Sequence, residues 1–240
     1  MNLRVPPLSP RLAALASAIP PGSRVADVGS GHGLLPLWLA ASGRVAHCLA
    51  TEATEALLTR VARPPAHAPW ALRLDYRAGD GLEALRLEDR IDTIVLAGLG
   101  GPTIVRILSA AGASGSLPSR LVLQPRSEVA SVRRWLSENG WRLVEERLTV
   151  HRGRFHQTLA ALRGDDADLY GDGALSREDL LDAGPLLVRT PPPAVFRFWR
   201  LERSRYASIL DGRVGPRLER ARLGLARAER LLAAISMRGG

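Results

Sequence analysis

One stretch constrains the fold more than any other: residues 24–36, R-V-A-D-V-G-S-G-H-G-L-L-P. Val25, Ala26 and Val28 read as a short apolar strand. Leu34, Leu35, Leu37, Trp38 and Leu39 open an apolar helix expected over 32–41. Between them stand Asp27, Gly29, Gly31 and Gly33. A strand, a glycine turn and a helix start make a ligand-binding corner. Glycine lets the backbone take a positive φ and come close to a ligand. The helix N-terminus offers unpaired N–H donors and a partial positive charge. A dinucleotide fingerprint is spaced G-x-G-x-x-G, whereas this run is D-x-G-x-G-x-G with an acid at the strand end. Taken alone, the run also suits an ordinary tight turn.

The rest of the chain repeats the alternation. Leu8-Ser9-Pro10-Arg11-Leu12 reads as a helix start, with Ser9 placed to cap and Pro10 at the first helical position. Strands are expected at 45–51, 72–77, 91–96 and 121–123, and helices at 54–61, 104–110 and 128–139. Residues 141–150 and 155–162 read as an antiparallel pair joined across His151-Arg152-Gly153-Arg154. This order predicts an α/β, Rossmann-like, doubly wound fold of seven strands with helices on both faces. Such folds bind ligands at the carboxyl ends of the strands, where the strand order reverses. Glu52 ends the second strand about 20 residues past the glycines, the position that reaches a ribose hydroxyl pair. Asp80, in Gly79-Asp80-Gly81 after the third strand, is placed to accept from an adenine amino group, and a plain turn is its other reading. Ala97-Gly98-Leu99-Gly100-Gly101-Pro102 is a second glycine corner, expected beside the first. There the bare backbone of Gly98, Gly100 and Gly101 would admit a flat ring.

Composition bounds the remainder. The 240 residues suit one full domain plus a small appendage. Cys48 is the only cysteine, so an internal disulfide and a cysteine zinc site are excluded. No apolar run reaches 18 residues and no leader pattern opens the chain, so no membrane span and a cytoplasmic protein are expected. No His and acid cluster has metal-ligand spacing, so no metal is expected. After Gly164 the character changes. Asp165, Asp166, Asp168 and Asp172 read as a solvated acidic linker. Two amphipathic helices follow, with Val195, Trp199, Tyr206, Ile209 and Leu210 on one and Leu218, Ala221, Leu225, Ala228, Leu232 and Ile235 on the other. They are expected to pair as a helical hairpin around a turn at 211–216, their arginines pointing outward. Residues 194–240 hold 11 arginines against 4 acids, most of the chain's net charge of +9. A basic helical end suits a polyanion, and equally a solvated helix face. The predicted division is 1–164 and 165–240.

The glycine run D-x-G-x-G-x-G resembles motif I of class I S-adenosylmethionine (SAM) methyltransferases. The chemistry agrees, since SAM lacks phosphates for a helix dipole but has an ammonium for an acid to hold. L-S-P-R-L (8–12), A-D-V-G-S-G-H-G-L-L-P (26–36), G-D-G-L (79–82), A-G-L-G-G (97–101) and L-Q-P-R (123–126) occur in this order. With the basic helical end, the chain is similar over nearly its whole length to the bacterial tRNA (adenine-N1)-methyltransferases acting on nucleotide 22, the TrmK family. It departs from that family's pattern at Gly31, where the family has Asp, and at Arg126, where it has Asn.

The resemblance implies SAM as cofactor and tRNA as partner. It implies a cofactor site of Asp27, Gly29, Ser30, Gly31, His32, Gly33, Glu52, Asp80, Gly81 and Gly98. Gln124, Arg126 and His32 become the catalytic candidates. Arg11, Gly100, Gly101, Pro125, Arg213, Arg217, Arg220 and Arg222 become the candidates for holding the substrate. Methylation of adenine N1 in the D-arm is the implied reaction, and a monomer is favoured. A small-molecule or protein methyltransferase, and a tRNA-binding protein with little catalysis, remain as alternatives.

Overall fold

Each apolar run between glycine turns becomes a strand, because a sheet covered on both faces needs continuous apolar segments. The computed structural model describes residues 7–65, 67–113, 117–171, 173–210 and 217–238. Five strands run parallel: β1 (Arg24–Val28), β2 (His47–Glu52), β3 (Leu74–Ala78), β4 (Thr93–Ala97) and β5 (Arg120–Gln124). Two longer ones close the far edge, β6 (Trp141–His151) and β7 (Arg154–Arg163), with β7 antiparallel to both β5 and β6. The sheet order is β3-β2-β1-β4-β5-β7-β6. It reverses between β1 and β4, so the ligand crevice of a doubly wound sheet falls at the carboxyl ends of those two strands.

The helices are α1 (Pro10–Ala18), α2 (Leu34–Ala41), α3 (Glu55–Leu58), α4 (Gly101–Ala113) and α5 (Val129–Glu138). Successive residues of a strand face opposite sides, and β7 shows which helix covers which side. Thr158 bonds Gln124, which bonds Arg11 of α1, whereas its neighbour Gln157 bonds Arg133 of α5. So α1 and α5 lie on opposite faces. Beneath α1 and α2, Leu15, Ile19, Leu35 and Leu39 pack on Val25, Cys48, Val95 and Val122. Burial pushes the Cys48 thiol upward, so it stays protonated and acts as a small apolar side chain.

Several expected boundaries move. Ser9 occupies the cap position of α1 with Pro10 following it, but its side chain makes no capping bond. α2 starts at Leu34 rather than residue 32, because Gly33 before it takes a left-handed φ of 70°. α3 is only one turn long, capped by the Thr54 hydroxyl, which accepts from Leu57 N. A 3₁₀ turn over Pro69–Arg73 delays β3, and α4 begins early, at Gly101.

The chain divides into two compact units, Met1–Gly164 and Asp165–Gly240. In the second, residues 165–194 are not a solvated linker. They form a 3₁₀ turn and two short helices, α6 (Arg177–Ala183) and α7 (Pro185–Arg189), which bury Leu169, Leu180, Leu181, Leu187 and Val188. Apolar pairs such as Leu180-Leu181 are what the acidic reading overlooked. Asp166 is itself buried, and Asp172 lies outside the described residues. α8 (Pro193–Leu210) and α9 (Arg217–Ser236) pack together as expected. The seam of α9 buries Ala221, Ala228, Leu231, Ala234 and Ile235, whereas Leu225 and Leu232 are only half-buried. The expected turn at 211–216, with Arg213, lies outside the described residues.

Candidate active site at the carboxyl edge of the sheet

Asp27 is the fourth residue of β1 and is buried at the reversal point. Loss of solvent pushes its carboxyl up to about 7 against the lowering by the Ser30 hydroxyl. The charge of Glu52 pushes the same way as burial, and Arg11 opposes it. The turn beyond it is held to the neighbouring strand, since Gly29 N and Ser30 N both donate to Thr51 O, at 3.0 and 3.1 Å. The Ser30 hydroxyl donates to Asp27 O at 2.7 Å. Glu52, also buried at the end of β2, accepts from Gly31 N. One carboxylate oxygen therefore fixes the glycine turn, and the other is left for a ligand.

The glycines of this turn have different jobs. At Gly33 a Cβ would come within 2.6 Å of Val61 Cγ1 and 3.0 Å of Ala62 N, so the start of α2 can approach the chain after α3 only without a side chain. Gly31 faces open space, with nothing within 4 Å of the position a Cβ would take. His32 is exposed beside it, and its carbonyl accepts from Ala62 N at 3.2 Å.

The second glycine corner is laced to the end of β5. Gly98 N donates to Gln124 O at 3.1 Å, Arg126 N to Leu99 O at 2.8 Å and Gly101 N to Ser127 O at 3.0 Å. This ladder sets Pro125 and Arg126 beside residues 98–101. Arg126 is exposed and Pro125 is buried. Gly98 has open space where a Cβ would stand, whereas Gly101 does not, because a Cβ there would lie 2.5 Å from Glu128 O and 2.8 Å from Ser127 O. Gly101 is thus closely packed between the starts of α4 and α5. Gly100 is in ordinary contact range of Ser127 Oγ, at 3.5 Å.

Gln124 also differs from its expected use. It is buried, and both of its amide N–H donors are taken, by Arg11 O at 3.1 Å and Thr158 Oγ1 at 2.8 Å. Its amide oxygen accepts from Arg11 Nη1 at 2.9 Å. The side chain therefore positions Arg11 and has no donor left for a base. Arg11 sits electrostatically between Asp27 and His156. Nothing in the sequence linked Thr158 or His156 to this site, because the contact depends on the register of β7 against β5.

Asp80 is exposed just after β3, with Arg106 Nη1 3.8 Å away. Asp80 and Gly81 also open onto a groove of about 730 Å³ that runs between the β3–β4 connection and α4. That groove contains none of residues 27–33, so it is distinct from the corner around Asp27.

In the second unit, Arg220 and Arg222 are exposed and make no ion pair among the described residues. The side chain of Arg217 lies outside them. Other arginines of α9 do not project freely. Arg230 bonds buried Asp179 of α6 at 2.8 Å, and Arg227 bonds both Asp179 and Asp182.

Residues 8–159 match the family described as Methyltransferase domain. The tRNA (adenine(22)-N(1))-methyltransferase of Bacillus subtilis (strain 168) is 30% identical over 204 residues, covering 85% of this chain and 84% of that protein. The crystal structure of the B. subtilis M1A22 tRNA methyltransferase TrmK superposes with a TM-score of 0.78 at 26% identity, covering 97% of this chain and 98% of that one. The Streptococcus pneumoniae protein Sp1610, in complex with S-adenosyl-L-methionine, superposes with a TM-score of 0.82 at 26% identity, covering 94% and 100%.

Proposed function

The chain belongs to the methyltransferase-domain family and, within it, to the tRNA (adenine(22)-N(1))-methyltransferases, and we propose that it methylates N1 of the adenine at nucleotide 22, in the D-arm of tRNA, with S-adenosyl-L-methionine as donor. The observation that carries the reading is the buried Asp27 beside an open glycine turn, facing the laced corner of residues 98–101 and 124–126.

The residues fit the donor. Asp27 supplies a buried acid for the methionine ammonium, and the bare backbone at Gly29, Gly31 and Gly98 admits a ligand. Ser30, His32 and Gly33 shape that end of the pocket. The free oxygen of Glu52 suits a ribose hydroxyl pair. Asp80 and Gly81 suit the adenine. When bound, S-adenosyl-L-methionine supplies an electrophilic methyl on a sulfonium, open to in-line attack.

Adenine N1 already carries an in-plane lone pair, so no residue has to remove a proton before attack. The chain's contribution is alignment. Holding reacting atoms about 3–3.5 Å apart in the attack geometry supplies most of the acceleration such a site needs. Arg126 and the backbone of Gly100 would hold the target base, with Pro125 fixing the turn. Gln124 acts through Arg11, which it orients toward Asp27. His32 serves the cofactor end more naturally than proton transfer. The Watson–Crick edge of the target must leave its pairing, at a cost of a few kcal/mol. Arginines of residues 165–240, with Arg220 and Arg222 foremost and Arg213 and Arg217 beside them in sequence, offset that cost through phosphate contacts.

Incubation with labelled S-adenosyl-L-methionine and unmodified tRNA, followed by mapping of the base, tests the reading. Label on N1 of adenine 22 is expected. Binding of S-adenosyl-L-methionine with no label on any tRNA would overturn it.

A further inference from the structure

The β6–β7 hairpin extends past the carboxyl end of β5. The last pair joining β7 to β5 is Leu123 with Leu159. Residues 154–158 therefore run on without a β5 partner, about 15 Å at the rise of a strand. This tip lies on the carboxyl edge, the same edge as Asp27, Gly98 and Arg126. Residues 147–156, R-L-T-V-H-R-G-R-F-H, contain three arginines, two histidines and no acid.

The register sorts these side chains by face. His151 pairs with Arg154, Thr149 with His156 and Arg147 with Thr158. Directly opposed residues share a face, so His151, Arg154 and His156 lie on the side of Thr158, which is the side of α1 and Arg11. The His151 and His156 rings are 6.4 Å apart, as that placement requires. His156 senses the positive field directly: burial lowers its pKa, and Arg11, His151 and Arg154 lower it further. The acids earlier on β6 do not neutralise the tip. Glu145 pairs with Arg147, and Glu146 is buried against Arg133. Arg152 and Arg154 are exposed and have no ion-pair partner among the described residues.

The turn itself favours charge over backbone comfort. Arg152 at φ 50° and Gly153 at φ 74° are both left-handed, the pattern of a primed two-residue hairpin. Such turns prefer Asn-Gly or Asp-Gly. An arginine in the first position is strained relative to asparagine. Asparagine would suit the turn better, so the backbone geometry does not itself call for an arginine there.

We propose that the β6–β7 tip, through Arg152 and Arg154 with His151 and His156 behind them, is a phosphate-binding arm that grips the RNA backbone next to the target nucleotide. The inference rests on the tRNA reading above and adds a substrate contact within the methyltransferase unit itself. A folded RNA presents its phosphates at close spacing, and an unpaired arginine pair on a projecting turn suits them as a fork.

The test uses the full chain, as wild type, Arg152→Asn, and Arg152→Asn with Arg154→Gln. Equilibrium binding to unmodified tRNA is measured across a salt series, beside calorimetric titration with S-adenosyl-L-methionine. The single variant is expected to keep or raise the melting temperature and yet bind tRNA more weakly. Its log–log salt slope should fall by about 1, and that of the double variant by about 2. KM for tRNA should rise with kcat unchanged, and S-adenosyl-L-methionine affinity should stay the same. A wild type that binds tRNA, with both variants equal to it in affinity and slope, would overturn the arm alone. A wild type that binds S-adenosyl-L-methionine but no tRNA would overturn the substrate reading and the arm with it.

Discussion

A single carboxyl group sets stability against function in this site. Asp27 in the fold has its carboxyl pushed up to about 7, from an ordinary value of 3.8 in the unfolded chain. Between those values the folded chain holds a proton that the unfolded chain releases. Stability is therefore full below pH 4, falls as pH rises toward 7, and is flat above. The span corresponds to a loss on the order of 4 kcal/mol. Asp27→Asn removes this loss, so thermal melts at pH 8 should show the variant above the wild type, with the gap closing toward pH 5. The same variant lacks the charge for the cofactor ammonium. Its affinity for S-adenosyl-L-methionine should drop sharply, and wild-type affinity should weaken as pH falls below 7. Equal cofactor affinity in both proteins would remove Asp27 from the site. Two glycines of the turn offer a matched contrast. Gly33→Ala meets Val61 and Ala62 and also has to hold a positive φ, so it should lose about 2–4 kcal/mol in denaturant melts. Gly31→Asp enters open space and should lose only about 1 kcal/mol.

At the scale of elements, the closing strand pair depends on one buried ion pair that a reading of the chain passed over. Arg133 of α5 and Glu146 of β6 are fully buried and 2.7 Å apart, and Gln157 of β7 also accepts from Arg133. Arg133→Met takes away the buried guanidinium 2.7 Å from the Glu146 carboxylate, so a loss of about 3–5 kcal/mol is expected in chemical denaturation. Adding Glu146→Leu should recover most of it, because an apolar pair of similar volume suits the same space. A double variant as unstable as the single would contradict this. Elements of this kind mark the limit of what was legible. β1, β2, β4 and β5 are short, mostly apolar runs closed by glycine, proline or an acid, so their order and the crevice they create could be read directly. Arg133 looks like any surface arginine of an amphipathic helix until β6 and β7 pass beneath it. Gln124 was legible as a strand-end polar residue, yet its partners come from α1 and β7, which lie 113 and 34 residues away. The helices at 177–189 were missed because four aspartates beside them dominated a short polar segment.

At the scale of the whole molecule, the charge of the second unit divides into a part that holds the fold and a part free for a partner. Arg227 and Arg230 are tied to Asp179, whose carboxyl lies below its ordinary value because Arg230 and Ser176 outweigh burial. These contacts fasten α6 to α9, so the two arginines are poor candidates for RNA contact. Arg220 and Arg222, about one and a half to three turns earlier on α9, are exposed. The tRNA reading therefore assigns different outcomes to two arginine pairs on the same helix. Arg220→Gln with Arg222→Gln should leave the melting temperature and S-adenosyl-L-methionine affinity unchanged. It should weaken tRNA binding and lower the log–log salt slope by about 2. Arg227→Gln with Arg230→Gln should lower the melting temperature, because Asp179 then stays buried without its charge partners. If the first pair left tRNA affinity and salt slope intact, the arginines of α9 would be a solvated face, and recognition would fall to the methyltransferase unit.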